Sequence, residues 1–143
     1  MKIGDEGKSR LIPNLNKLLT VTCSKEQSNR EDIIRNSIFG ISYLPDKSGI
    51  YATYMALLNL NSHSLALEIC TQAVNAFEQA ILNNDCSQAK FILRFFVELA
   101  NAKLLKPLVL TDLIYSLLHS QESYSFLSVG FVAAINNIPF MVY

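Results

Sequence analysis

The chain has 143 residues, half of them hydrophobic, and its twelve basic and twelve acidic residues cancel to a formal net charge of zero. This length favours one domain, and the apolar content is sufficient for a hydrophobic core. A balanced charge argues against direct RNA or DNA binding by this chain, because phosphates demand clustered Lys and Arg. Three widely spaced cysteines, Cys23, Cys70 and Cys86, form no paired motif and predict a reducing compartment.

The chain opens with "MKIGDEGKSR", which is charged and has no apolar segment behind it. This pattern predicts no secretory signal. We expect residues 1–9 to be a flexible N-terminus and residues 10–143 to form a single, partial helical-repeat domain.

Helix signals recur from there on, whereas alternating strand patterns are almost missing. Capping boxes are predicted at "SNRE", beginning at Ser28, and at "DCSQ", beginning at Asp85. Pro107 suits the first turn of a helix. Seven helices are predicted, at residues 10–23, 29–44, 48–60, 64–82, 87–103, 107–119 and 124–136.

The fifth predicted helix has the widest apolar surface, because its polar residues form a single narrow line of Lys90, Arg94, Glu98 and Asn101. We therefore expect it to be the central helix. Arg94 and Glu98 are four residues apart and are predicted to form an ion pair across one turn, with Lys90 extending the same line.

The odd-numbered helices begin 37 to 39 residues apart, a period typical of HEAT-type arrays of helix pairs. The turn at residues 45–49 then joins one pair to the next, and the following helix packs through Ile50, Tyr54, Leu57 and Leu58. The predicted fold is all-α, an α-α superhelix of antiparallel helix pairs.

Several segments in the same order resemble a known family. They are "YLPDKSGIYATYMALLN", "AVNAFEQAILNNDCSQAKFILRFFVELANAKLL" and "SYSFLSVGFVAAINNIPF", and together they cover about residues 44–140. This combination resembles the N-terminal domain of the large subunit of the nuclear cap-binding complex, of the type named after the middle domain of initiation factor 4G. The family domain continues beyond "NNIPF", so the resemblance implies a chain that stops in mid-domain.

The resemblance implies a non-catalytic scaffold in the nucleus, with shuttling to the cytoplasm as a further expectation. Its implied partners are the small cap-binding subunit, contacted mainly through later domains, and RNA-processing and export proteins. Capped RNA would be reached only indirectly. The alternative that we keep open is a free-standing HEAT-like adaptor that binds protein peptides.

Residue patterns typical of catalysis or cofactors are missing from the sequence. His63 and His119 flank helices without the spacing of a metal site, and no glycine-rich phosphate loop is present. We predict no catalytic, metal or cofactor-binding residues and no cofactor. The interaction candidates are Lys90, Arg94 and Glu98, together with Tyr43 and Tyr51, which flank the turn and are predicted to be exposed.

The last segment, residues 123–143, has no charged residue, but Asn136, Asn137 and Pro139 interrupt it. It is therefore predicted to be a buried helix and not a membrane span. A chain cut in mid-array would leave an apolar C-terminal face uncovered, which predicts self-association. That face would consist of Phe126, Phe131, Ile135 and Phe140.

Overall fold

The computed structural model describes residues 8–119, which form five α-helices and one short 3-10 turn, with no strand in that range. The predicted all-α class and its helix-on-helix packing are confirmed. The helices are α1 (Lys8–Tyr43), α2 (Ser48–Asn61), α3 (His63–Leu82), α4 (Cys86–Asn101) and α5 (Pro107–His119), with the 3-10 turn at Pro45–Lys47 between α1 and α2.

The first two predicted helices form one kinked helix, α1. The break is confined to Asn29, whose backbone lies outside the helical region at φ −133° and ψ 30°. The break coincides with the predicted start of the second helix at residue 29. The predicted length of the connection is wrong, since residues 24–28 are helical. The Ser28 hydroxyl donates to the Lys25 carbonyl at 3.2 Å instead of capping a new helix. Such a bond back into the preceding turn slightly destabilises and often bends a helix, and the break at Asn29 follows directly.

The junction between α3 and α4 is a tight turn built from local hydrogen bonds. Asn84 adopts the left-handed conformation at φ 57°. Its amide donates to the Ile81 carbonyl at 3.0 Å, and the Asp85 amide donates to the Ala80 carbonyl at 2.8 Å. This is the Schellman arrangement, which satisfies the last carbonyls of α3.

Asp85 also caps α4, because its Oδ1 accepts from the Gln88 amide at 3.0 Å. Only one of the two hydrogen bonds of the predicted capping box is confirmed, because the Asp85 amide already donates to the Ala80 carbonyl. Replacing Asp85 by alanine is expected to lower the free energy of unfolding by about 1 kcal/mol, because the Gln88 amide loses its acceptor. Chemical denaturation measures this, with Asp85→Asn as the matched control because asparagine also caps. Equal losses in the two variants would contradict the capping role.

The core is organised around α4, which packs against α1, α2, α3, α5 and the 3-10 turn. The prediction that this helix is central is confirmed. Its fully buried side chains include Phe95 and Phe96, and the Phe96 ring meets Phe77 of α3 edge-on, with centroids 5.7 Å apart. Such edge-to-face pairs add to the stabilisation from burial alone.

The predicted boundaries of α2 to α4 and the predicted start of α5 lie within two residues of the observed ones. Helix α5 packs only against α4 among the described elements. The predicted seventh helix and the C-terminal apolar face lie outside the described residues. Between residues 8 and 119, no helix has both the length and the apolar character needed to cross a membrane.

Candidate protein-interaction surface

An aromatic pair is exposed at the end of α1. Phe39 and Tyr43 are 60% and 55% exposed, and their ring centroids lie 5.1 Å apart. Leu44, also exposed, follows directly. Exposed aromatic side chains in contact with each other are typical of surfaces that bind a partner. Tyr43 is exposed, as expected from its place beside the turn, and its role in binding stays a prediction.

Tyr51 differs from Tyr43, because it is half-buried instead of exposed. Its ring lies against Gly40 of α1, in the space that a Cβ on Gly40 would fill. Burial raises the pKa of the Tyr51 hydroxyl above its ordinary value. The missing side chain at Gly40 therefore lets α1 and α2 approach each other closely, and Tyr51 acts at this contact as a packing residue.

Tyr54 joins α2 to the first half of α1. The residue is buried, and its hydroxyl donates to Thr22 Oγ1 at 2.9 Å. Thr22 in turn donates to the Leu18 carbonyl at 2.8 Å, so the hydroxyls of Tyr54 and Thr22 both have partners. The predicted packing face of α2 is confirmed, with Tyr54 and Leu58 buried and Ile50 and Leu57 half-buried.

The polar line of α4 lies at the surface. Lys90 and Arg94 are exposed, and Glu98 is half-buried. The predicted ion pair between Arg94 and Glu98 is wrong: Glu98 Oε2 accepts from Asn101 Nδ2 at 3.3 Å. The same carboxylate lies 3.7 Å from where a Cβ on Gly49 would be. Gly49 belongs to the first turn of α2, where free backbone amides favour a negative charge.

The five candidate residues lie on three helices, α1, α2 and α4, and the 3-10 turn packs against all three. This turn packs against α1, which carries Tyr43, and against α4, which carries Lys90, Arg94 and Glu98. Glu98 also reaches the start of α2 beside Gly49. The arrangement offers aromatic, cationic and carboxylate groups, and none of these groups is arranged as a nucleophile with its base.

An ion-paired contact between α1 and α3 was not predicted. Arg30 Nε and Nη2 each lie 2.7 Å from Glu68 Oε2, and Nη2 donates to Ser64 Oγ at 2.9 Å. Arg30 and Glu68 are 38 residues apart, so no local spacing in the sequence signals this pair. The contact fixes the start of the second half of α1 against the first turns of α3, directly after the kink at Asn29.

The histidine and cysteine residues are scattered. His63 Nδ1 lies 3.0 Å from Asn59 Oδ1 at an exposed position. Cys23 and Cys70 are half-buried and Cys86 is exposed. Across the part of the chain that the structure describes, no three His, Cys, Asp or Glu residues are grouped to hold a metal ion. The side chain of His119 lies outside the description.

The Cys70 thiol is enclosed, although part of the residue reaches the surface, and burial raises its pKa from 9.0 to about 12. Above pH 9 the thiol ionises in the unfolded chain but not in the folded one. Stability is therefore expected to fall progressively between pH 9 and 12. Burial also raises the pKa values of Tyr51 and Tyr54 above 10.0, which adds to the loss at higher pH.

The melting temperature, followed by circular dichroism from pH 8 to 11 in a reducing buffer, tests this prediction. Cys70→Ala is expected to remove the part of the decline that begins near pH 9. Cys86→Ala, at an exposed position, is the matched control and should leave the shape of the curve unchanged. Parallel curves for the parent protein and Cys70→Ala would contradict the prediction.

No protein-family model matches the chain. Over 100 residues, or 70% of the chain, it is 27% identical to nuclear cap-binding protein subunit 1-A of Xenopus laevis. Over 117 residues, or 82% of the chain, it is 26% identical to nuclear cap-binding protein subunit 1 of Anopheles gambiae, and the human protein of that name is 25% identical over 100 residues. The chain spans 13–14% of the length of these relatives. These identities support a distant relationship to them.

Proposed function

We propose that this chain is a scaffold segment of the large subunit of a nuclear cap-binding complex. The observation that carries the proposal is the similarity to relatives named nuclear cap-binding protein subunit 1, which extends over 70–82% of the chain. The all-α packing around α4 provides the rigid faces that a scaffold needs. The proposed location is nuclear, with shuttling to the cytoplasm.

In this role the chain supports the small cap-binding subunit, mainly through other parts of the full-length protein, and presents its own surface to RNA-processing and export proteins. Capped RNA is reached only through the small subunit. The proposed role requires no catalysis, because the chain contributes contacts and not a reaction.

Retention on methylguanosine-cap resin tests the proposal. The complete product of the gene is co-expressed with the small cap-binding subunit of the same organism, with and without free cap analogue as competitor. We expect retention of the pair, its loss with competitor, and its loss when the small subunit is omitted. An unrelated RNA-recognition-motif protein in place of the small subunit is the control.

Failure of the pair to bind the resin would contradict the proposal and favour the alternative function, a free-standing HEAT-like adaptor for protein peptides. The exposed Phe39–Tyr43 pair at the end of α1 supports that alternative, because it offers an apolar contact for a peptide.

A further inference from the structure

Several cations on and after α4 have no anionic partner in the described part of the chain. Lys90 and Arg94 are exposed on α4, and Lys106 is exposed just after it. Other cations are paired: Arg30 contacts Glu68 at 2.7 Å, and Arg35 lies 3.5 Å from Asp32. We call the set of Lys90, Arg94 and Lys106 the α4 basic face.

The zero net charge of the chain conceals this face, because the charges are segregated along the sequence. No Lys or Arg occurs between Lys47 and Lys90, where Glu68, Glu78 and Asp85 stand. From Lys90 to Lys106, four basic residues accompany the single acidic Glu98, a local charge of +3. A locally positive surface attracts negative partners whatever the total charge.

The spacing of the face matches a peptide. Lys90 and Arg94 are one helical turn apart, which is a rise of about 6 Å. Alternate side chains of an extended peptide point to the same side and repeat every 6.5 Å or so. Two carboxylates at alternate positions can therefore pair with Lys90 and Arg94 together. Val97, 38% exposed, lies within a turn of Arg94 and offers an apolar contact.

We propose that the α4 basic face binds an acidic, extended segment of a partner protein, with carboxylates on Lys90 and Arg94 and an apolar side chain on Val97. This inference rests on the proposed scaffold function and deepens it, because it names the surface and the chemistry of the partner that is recruited.

A protein partner is favoured over a nucleic acid for two reasons. Single-stranded nucleic acids stack their bases on exposed aromatic rings, whereas the exposed large hydrophobic residue on α4 is Val97 and its neighbours Phe95 and Phe96 are buried. The Glu98 carboxylate also lies on the same line and can accept from the amides of a peptide backbone, which are donors that a sugar–phosphate backbone of single-stranded nucleic acid does not provide at its phosphates.

The first half of α1 is also basic but suits such a segment less well. Its exposed cations Arg10, Lys17 and Lys25 are seven and eight residues apart, so they repeat only about every 10–12 Å along the helix. This stretch therefore provides a control surface that is also positively charged but whose cations are more widely spaced.

Fluorescence anisotropy tests the proposal with a labelled acidic peptide of about twelve residues, long enough to span the face when extended. The peptide is rich in Asp and Glu and contains two leucines. Its affinity for the 143-residue chain is expected to fall at least about tenfold in Lys90→Glu/Arg94→Glu, because the reversed charges repel the carboxylates. The matched control Lys17→Glu/Lys25→Glu changes the net charge equally and should shift affinity by no more than about twofold. Melting curves confirm that both variants fold.

Equal losses in the two double variants, or unchanged affinity in Lys90→Glu/Arg94→Glu, would overturn the proposal. Displacement of the peptide by an oligouridine RNA, with the RNA bound more tightly, would overturn it in favour of a nucleic-acid surface. If the chain does not bind the peptide but the pair is still retained on the cap resin, this inference is rejected and the proposed function is unaffected. Specific peptide binding without retention on the cap resin would support the α4 basic face as a binding surface and favour the alternative function, a free-standing adaptor for protein peptides.

Discussion

Replacing Phe96 by alanine is expected to lower the free energy of unfolding by about 3–5 kcal/mol. Phe96 is completely buried on the central helix, and its ring contacts Phe77 and lies 6.0 Å, centroid to centroid, from Phe95. The loss combines the transfer of the ring out of the core, the cavity left behind and the aromatic pairs. Because domains are stable by only about 5–15 kcal/mol, this variant approaches unfolding in water.

Urea denaturation followed by circular dichroism measures the effect. Val97→Ala is the matched control, because it shortens the next residue of α4 at a position that is 38% exposed. We expect the control to cost less than about 1 kcal/mol, since surface substitutions usually have small effects. Similar losses at the two positions would show that the core is not packed around Phe96.

The second large effect is expected for Gly40→Ala, which should cost about 1–3 kcal/mol through overpacking. Alanine is the better helix former by about 1 kcal/mol, so helix propensity alone predicts the opposite sign. The steric contact decides the outcome, because a Cβ at this position overlaps the hydroxyl and ring of Tyr51. Either Tyr51 or α1 has to move.

Gly49→Ala is the matched control for Gly40→Ala. A Cβ at Gly49 lies 3.7 Å from the nearest Glu98 carboxylate oxygen, an ordinary contact. This variant is expected to raise stability by about 0.5–1 kcal/mol, because it limits the freedom of the unfolded chain. Thermal and urea denaturation of both variants therefore give shifts of opposite sign if the contact is as described.

A double-mutant cycle isolates the contact between Gly40 and Tyr51. Tyr51→Leu shortens the side chain that the new Cβ meets, so Gly40→Ala is expected to cost less in the Tyr51→Leu background than in the parent. Additive effects would mean that the loss in Gly40→Ala comes from another source.

Local chemistry explains which predictions succeeded. Asp85 caps α4 through a bond that spans three residues, and Pro107 begins α5, so both signals act within one turn of the chain. The prediction at Ser28 was wrong for an equally local reason, because its hydroxyl has two possible partners and bonds to Lys25. The sequence alone does not rank these two hydrogen bonds, since their energies are similar.

Longer-range contacts account for the rest of the difference. Arg94 and Glu98 have the spacing of an ion pair, but the start of α2 beside Gly49 and the side chain of Asn101 provide Glu98 with other neighbours. Tyr43 and Tyr51 look alike in sequence, and only the position of Gly40 separates an exposed ring from a half-buried one.

The amino-acid sequence by itself determined the all-α class, the bounds of α2 to α4, the start of α5, the helix break before residue 29 and the central place of α4, because hydrophobic periodicity and caps are properties of neighbouring residues. The tertiary structure alone decided the Arg30–Glu68 contact and the partner of Glu98. These features depend on which helices pack together, and a charged or aromatic side chain takes the partner that packing brings within reach.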